Sequence, residues 1–347
     1  MSTHLKGEQM VEVFNRCNVQ VSCLGNHDLD FGIKKAIQLI GKTAPTTWLM
    51  SNLNAEGKPI ADLITWCTRE HQITGSEEKI KIGFFGLTGA DWLGSLSPTV
   101  TEELQYTDFI SKGTEMAQML RNDQGCQLVI ALTHMRVPAD RVLASQVPDI
   151  DFVLGGHDHS YVTEVDEQTG TFVIKSGTDF EEFSDCAIIL EATQADYEAA
   201  KAEVTDYVKY LFSPQKKMLV RVEKVPIVAS MSTDAEIDAH IEENSSELNK
   251  KMGEICAYFD VDLEGRFECL RYEETNVGNL VADIIRTEYD NLDVVLLNSG
   301  TLRSNAVIQK GEFSLRMLSD LLPMPDKIVL LKINGKVLKS LLENSVS

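Results

Sequence analysis

The sequence predicts an α/β protein of two domains joined by a polar helix, and three observations carry that prediction. Short apolar runs alternate with amphipathic stretches through the first two-thirds of the chain, the pattern of layered α/β architecture. A mostly polar helical stretch then interrupts the alternation, and a second α/β pattern starts at Gly253. The length, 347 residues, exceeds what one ordinary hydrophobic core accommodates. The expected division is residues 1–231, a linker helix over 232–252, and residues 253–347.

In the first part, apolar runs predict strands at Val19–Leu24, Trp48–Leu53, Ile80–Leu87, Leu128–Thr133, Phe152–Leu154, Phe172–Lys175 and Ala187–Glu191. Lys6–Asn15, Gly32–Ile40, Thr107–Asn122 and Ala139–Ser145 have helical character between them, and Asn54–Pro59 and Gly75–Lys79 read as exposed turns. A strand at Val220–Val228 closes the unit. Ser232-Thr233-Asp234-Ala235-Glu236 places a hydroxyl cap before an acidic first turn. The helix it starts runs to about Met252 without a continuous apolar face, as domain-bridging helices do. Beyond it come a helix at Val277–Glu288, a strand at Val294–Leu297, a helix at Leu315–Leu322, a strand at Ile328–Ile333 and a helical pattern from Gly335.

Composition narrows the function. Hydrophobic residues at 43% and charged residues at 24% are those of a soluble globular protein. No apolar run approaches the roughly 20 residues a bilayer-spanning helix needs, and Met1–Gln9 does not read as a secretory signal. A net charge of −21 disfavours nucleic acid and anionic membranes as partners. Small anions remain accessible wherever metals or a few arginines reverse the local field. Seven scattered cysteines without a C-x-x-C pair read as reduced thiols, so a cytoplasmic location is expected.

Three segments share one layout, a buried strand followed by metal-ligand residue types. They are Val21 to Asp30, containing Gly25-Asn26-His27-Asp28; Val129 to His134, ending in Thr133-His134; and Phe152 to His159, ending in Gly156-His157-Asp158-His159. In open α/β layers, ligands gather where loops leave the carboxyl ends of neighbouring strands. A lone Thr-His at a strand end is commonly just a hydrogen-bonded histidine, and His-x-His occurs in plain loops. The order and spacing of all three segments together favour a site.

That set resembles the calcineurin-like metallophosphoesterase superfamily. The resemblance implies a four-layer, double-sheet α/β sandwich holding two divalent ions whose identity among Zn, Mn, Fe, Co and Mg stays open. Matching positions imply Asn26, His134 and His157 on one ion and His159 on the other. They also imply His27 beside the phosphate as a catalytic residue, its ring oriented by Asp30. The second half narrows the family. Glu274-Thr275-Asn276-Val277-Gly278-Asn279 and Asn298-Ser299-Gly300-Thr301-Leu302-Arg303 resemble the carboxy-terminal substrate domain of 5'-nucleotidases. Arg271, Asn298, Gly300 and Arg303 would then contact substrate, since guanidinium forks suit phosphate and carboxylate oxygens.

The pattern departs from the family in three places. An Asp-x-His loop and a Gly-Asp loop, whose aspartate bridges both metals, precede Gly-Asn-His-Asp in the family. Neither follows Met1 here, so the sandwich is expected to lack its first strands and to leave Val19–Leu24 as an exposed edge. The expectation is one weakly bound metal, or not two. The carboxy-terminal domain is likewise expected to be incomplete. Met324 stands where the family's first base-stacking ring follows Leu322-Pro323, and the second ring would lie beyond Ser347. The expected function is metal-dependent hydrolysis of a nucleoside 5'-monophosphate or similar small phosphoester. A non-catalytic ligand- or partner-binding protein, a 2',3'-cyclic phosphodiesterase and a sugar phosphatase are the alternatives. Oligomeric state is left open.

Overall fold

The computed structural model describes residues 5–55, 57–60, 63–96, 98–289, 291–323 and 328–345. They fall into two units, Met1–Glu242 and Glu243–Ser347, divided inside the helix that the sequence reading sets aside as a linker.

The strands of unit 1 are β1 Val21–Cys23, β2 Thr47–Leu49, β3 Trp66–Gln72, β4 Lys79–Thr88, β5 Leu128–His134, β6 Phe152–Gly155, β7 Tyr161–Val165, β8 Phe172–Ser176, β9 Glu182–Leu190, β10 Val208–Ser213 and β11 Met218–Pro226. Its helices are α1 Glu8–Arg16, α2 Ile33–Ile40, α3 Phe109–Gln118, α4 Val137–Gln146 and α5 Gln194–Ala200. A six-stranded sheet of order β7-β8-β6-β5-β4-β3 forms the centre. Its inner strands β4, β5, β6 and β8 run parallel, while β3 and β7 flank them antiparallel.

Period-two alternation builds two cores from one strand. On β5, Val129 and Ala131 face a cluster with Leu143 of α4 and Ala117 of α3. Leu128 and Ile130 face the other way, onto Met218, Val220 and Val222 of β11. That second face belongs to an antiparallel sheet of order β9-β11-β10. Phe212 of β10 stacks on Tyr197 of α5, ring centroids 5.6 Å apart, which places α5 over the outer side. The layers are therefore helix, six-stranded sheet, three-stranded sheet and helix, the expected double-sheet sandwich.

A third cluster buries Leu24, Leu29, Ile33, Trp48 and Met50 around α2 and the parallel pair β1-β2. Strand β1 is half-buried and pairs with β2, its only strand partner among the described residues. The helix expected at Thr107–Asn122 starts at Asp108, whose Oδ1 accepts from Ile110 N and Ser111 N, and α3 ends in a π turn at Met119–Asp123. Asn54–Pro59, read as a plain turn, carries short paired strands on either side of Gly57.

In the two large sheets of unit 1, the strands not read from the sequence are β3, β7 and β10. Each is a sheet edge. One side of an edge strand meets water, so its residues are mixed, as in Trp66-Cys67-Thr68-Arg69-Glu70-His71-Gln72.

In unit 2, α6 Ala235–Met252 leads into β12 Ile255–Phe259, which pairs with β15 Gly311–Ser314; β13 Leu263–Glu264 pairs with β14 Val307–Ile308. Helices α7 Asn276–Glu288, α8 Leu315–Leu321 and α9 Gly335–Asn344 complete it, and Val277, Val281, Leu302 and Phe313 centre the core. Two expected strands are corrected. Val294–Leu297 and Ile328–Ile333 form no strand, and Val294, Leu296, Val329 and Leu331 are 50%, 49%, 69% and 70% exposed. An apolar run becomes a strand only where a neighbour takes up its backbone groups, which periodicity alone does not reveal. Met324 lies outside the described residues.

Candidate active site

Three loops leave the carboxyl ends of β1, β5 and β6, and each is fixed from below. Leu24 and Leu29, buried to 0% and 1% exposure, anchor the first loop on both sides. Between them Asn26–Leu29 makes one 3-10 turn, and Gly25 N donates to Asp28 Oδ2 at 2.7 Å. Asp28 thus caps its own loop. Thr133, buried at the end of β5, donates to Asp140 Oδ1 of α4 at 2.6 Å. In the third loop His157 and His159 hold φ of 79° and 56°, a left-handed backbone uncommon for side-chain-bearing residues.

The consequence is convergence. His134 Nε2 lies 2.9 Å from Asn26 Oδ1 and 3.2 Å from His157 Nδ1. The two rings meet edge-on, centroids 5.0 Å apart. A Cβ on Gly25 would stand 2.9 Å from His134 Cε1, and one on Gly156 would stand 3.2 Å from His134 Nδ1. Glycines on both approaches therefore let the loops close on that ring. His27, exposed, pairs through Nδ1 with Asp30 Oδ2 at 2.9 Å. His159 is exposed at the rim.

Burial holds the basicity of His134 down to about 4, helped by the nearby charges of His157, His27, Lys175 and His159. Burial, and then the Arg136 guanidinium, also lower His157. Both rings are neutral at neutral pH, the form that binds metal.

Below these loops lies a charged layer that the sequence reading missed. Lys175 of β8 and Asp140 of α4, 2% and 0% exposed, pair at 2.9 Å. Asp158 accepts from Val137 N and faces Arg136 at 3.6 Å, and Arg136 also holds Asp91 at 2.8 Å. Burial pushes Asp140 up to about 6 against the pull of Lys175 and Thr133. A lysine closing the otherwise apolar run Phe172-Val173-Ile174-Lys175 was the available signal.

In unit 2 the candidate residues Asn298, Gly300 and Arg303 share one loop, and Arg271 reaches it from the end of the short helix Phe267–Leu270. Asn298 Oδ1 accepts from Gly300 N at 2.9 Å, and Arg303 Nε donates to Gly300 O at 2.7 Å. Arg271 donates to Ser299 O and lies over the Phe267 ring, 4.7 Å from its centroid. Both guanidinium groups fix the loop with part of their donor set and keep the rest exposed. The Glu274–Asn279 motif includes structural work: Thr275 caps α7 through Gly278 N, while Asn276 accepts from Glu264 N at 2.7 Å and donates to Asp262 O.

Comparison with known proteins fits this geometry. Residues 5–161 match the family model of calcineurin-like phosphoesterases, and residues 256–347 match that of the 5'-nucleotidase C-terminal domain. A snake venom 5'-nucleotidase of Crotalus adamanteus is 25% identical over 98% of this chain and 58% of its own length. The 5'-nucleotidase of Homo sapiens is 23% identical over 99% of this chain and 60% of its own. The chain thus spans less than two-thirds of these relatives. A 5'-nucleotidase precursor from Thermus thermophilus shares the fold, with a TM-score of 0.70 at 19% identity over 100% of this chain and 66% of that one.

The fold and the arrangement of the first unit's loops agree with the calcineurin-like phosphoesterase match over residues 5–161. Together with the match of the second unit, this makes the chain similar to 5'-nucleotidases across both of its units.

The calcineurin-like match implies divalent metal ions, and the donor chemistry of the site fits one. Adjacent ligands on a small divalent ion with bonds of about 2.1 Å sit about 3 Å apart, and His134 Nε2 stands at that spacing from both Asn26 Oδ1 and His157 Nδ1. Among the described residues no group of three His, Cys, Asp or Glu is assembled, so the fit rests on two imidazoles and an amide oxygen.

Proposed function

We propose that the chain provides the catalytic and substrate units of a metal-dependent phosphomonoester hydrolase acting on a nucleoside 5'-monophosphate or a closely similar small phosphoester. The placement of Asn26 Oδ1 and His157 Nδ1 about His134 Nε2, at 2.9 Å and 3.2 Å, is the observation that carries this reading. Those three would hold one divalent ion and His159 would contribute to a second. When bound, such ions polarise phosphoryl oxygens and acidify an attacking water.

The chain's own residues do the rest. Asp30 accepts from His27 Nδ1, which leaves Nε2 as the ring atom that can present a proton to the leaving-group oxygen. As imidazolium, His27 stabilises charge developing on the phosphoryl group. Arg303, on the Asn298–Arg303 loop, and Arg271, bonded to that loop at Ser299 O, supply donors to anionic or ribose oxygens. A net charge of −21 makes such local cations necessary for an anionic substrate. Seven free thiols support a reducing, cytoplasmic setting. No helix of the described residues is long and apolar enough to cross a membrane.

Phosphate release from AMP, 2',3'-cyclic AMP and a sugar phosphate, each with manganese, cobalt or zinc, tests the proposal. AMP is expected to be the best of the three, with loss of turnover in His27→Ala. Preference for the cyclic ester or the sugar phosphate would move the chain to those substrates. No release from any, with nucleotide binding unchanged in His27→Ala, would make it a binding protein.

A further inference from the structure

An ammonium group has three N–H bonds, and the buried ammonium of Lys175 donates to two backbone carbonyls while sitting in ion-pair range of a buried carboxylate. Nζ lies 2.7 Å from Met135 O, 2.7 Å from Gly156 O and 2.9 Å from Asp140 Oδ2. The first two carbonyls belong to the residue after His134 and the residue before His157. Lys175 is placed to reach both because β8 lies beside β6 with Lys175 opposite Gly155. A Cβ on Gly155 would stand 2.6 Å from Lys175 Cε, so the stem passes through space that only glycine leaves open. Asp140 balances the charge from α4, itself held by Thr133, the residue before His134.

We propose that Lys175 is a positioning residue: its ammonium ties the backbone beside His134 to the backbone beside His157 and so holds the two imidazoles together for one divalent cation. This rests on reading the site as metal-binding. Without the ammonium, two carbonyl oxygens and a buried carboxylate would face one another with no donor between them. The loop from β6, which already carries left-handed residues at 157 and 159, would then turn away.

The test uses the full chain and a variant that removes both buried charges, Lys175→Met with Asp140→Asn, so that no unpaired ion is left behind. Two readouts follow, a nuclear Overhauser contact between the His134 and His157 rings in metal-free protein, and cobalt(II) affinity from its visible spectrum. The expected result is a folded variant that loses the ring contact and binds cobalt about ten- to a hundredfold more weakly, the range for residues supporting metal ligands. An unchanged contact together with unchanged affinity would overturn the proposal. If the unaltered chain takes up no cobalt, the metal reading fails, while the ring contact still decides the positioning role. Should that variant not fold, Lys175→Gln with Asp140→Asn, which keeps an amide donor, is judged on the same two readouts.

Discussion

At the scale of single residues, the site depends on which imidazoles are charged. His27 is exposed and paired with Asp30, whereas His134 is packed among neighbours that oppose its protonation. In metal-free protein the folded His134 titrates at about 4 against an ordinary value of 6.5. Between those pH values the unfolded chain binds the extra proton, so stability rises with pH across the window and is lost as pH falls through it. The difference in unfolding free energy between the unaltered chain and His134→Asn should therefore change by about 3 kcal/mol from pH 6.5 to pH 4. Urea unfolding at stepped pH measures it, and parallel curves for the two proteins would refute the assignment. Comparison with the variant is needed because Asp140, raised to about 6, contributes in the opposite direction over nearly the same range. For His27, replacement by alanine should lower kcat on AMP by about 10²–10⁴-fold, as expected for a lost general acid. Asp30→Asn should cost less. A wild-type kcat in His27→Ala would remove it from the chemistry.

At the scale of elements, legibility followed burial. The inner strands β4, β5, β6 and β8 have apolar runs that can be read directly, since both faces are covered. The edges β3, β7 and β10 escaped because water on one side permits any residue. The loops that follow inner strands were legible by their glycines and histidines, and the fold brings Asn26, His134 and His157 together as their order suggested. What single residues could not announce was the layer beneath. Lys175 reads as the polar end of a strand, and Asp140 as one acidic residue of an amphipathic helix; only the pairing of β8 beside β6, with Lys175 opposite Gly155, shows how they come into contact. The same pairing predicts a steric limit. Gly155→Ala places a methyl group against the Lys175 stem and Asp140 and should cost about 1–3 kcal/mol. Gly94→Ala, with nothing within 4 Å of the added carbon, should stay within about 0.5 kcal/mol. Equal effects at the two positions would show that the stem can move aside.

For the whole molecule, charge and metal binding have to be separated. A chain carrying −21 attracts divalent cations to its surface in general, so a rise in melting temperature with added metal does not by itself identify a site. A site differs in two ways: it saturates, and it depends on particular donors. If Asn26, His134 and His157 hold one ion, free ion at a hundred times its dissociation constant should stabilise the folded chain by about 2.7 kcal/mol. Manganese or cobalt should produce that gain, and magnesium at equal ionic strength should produce less, because imidazole nitrogen favours the softer ions. His134→Ala should abolish the difference between the ions while leaving the general effect of salt. Asn298→Ala, in the other unit, should leave it intact. A metal response that survives His134→Ala would mean the ions act on the acidic surface, and the geometry of the three loops would then be packing alone.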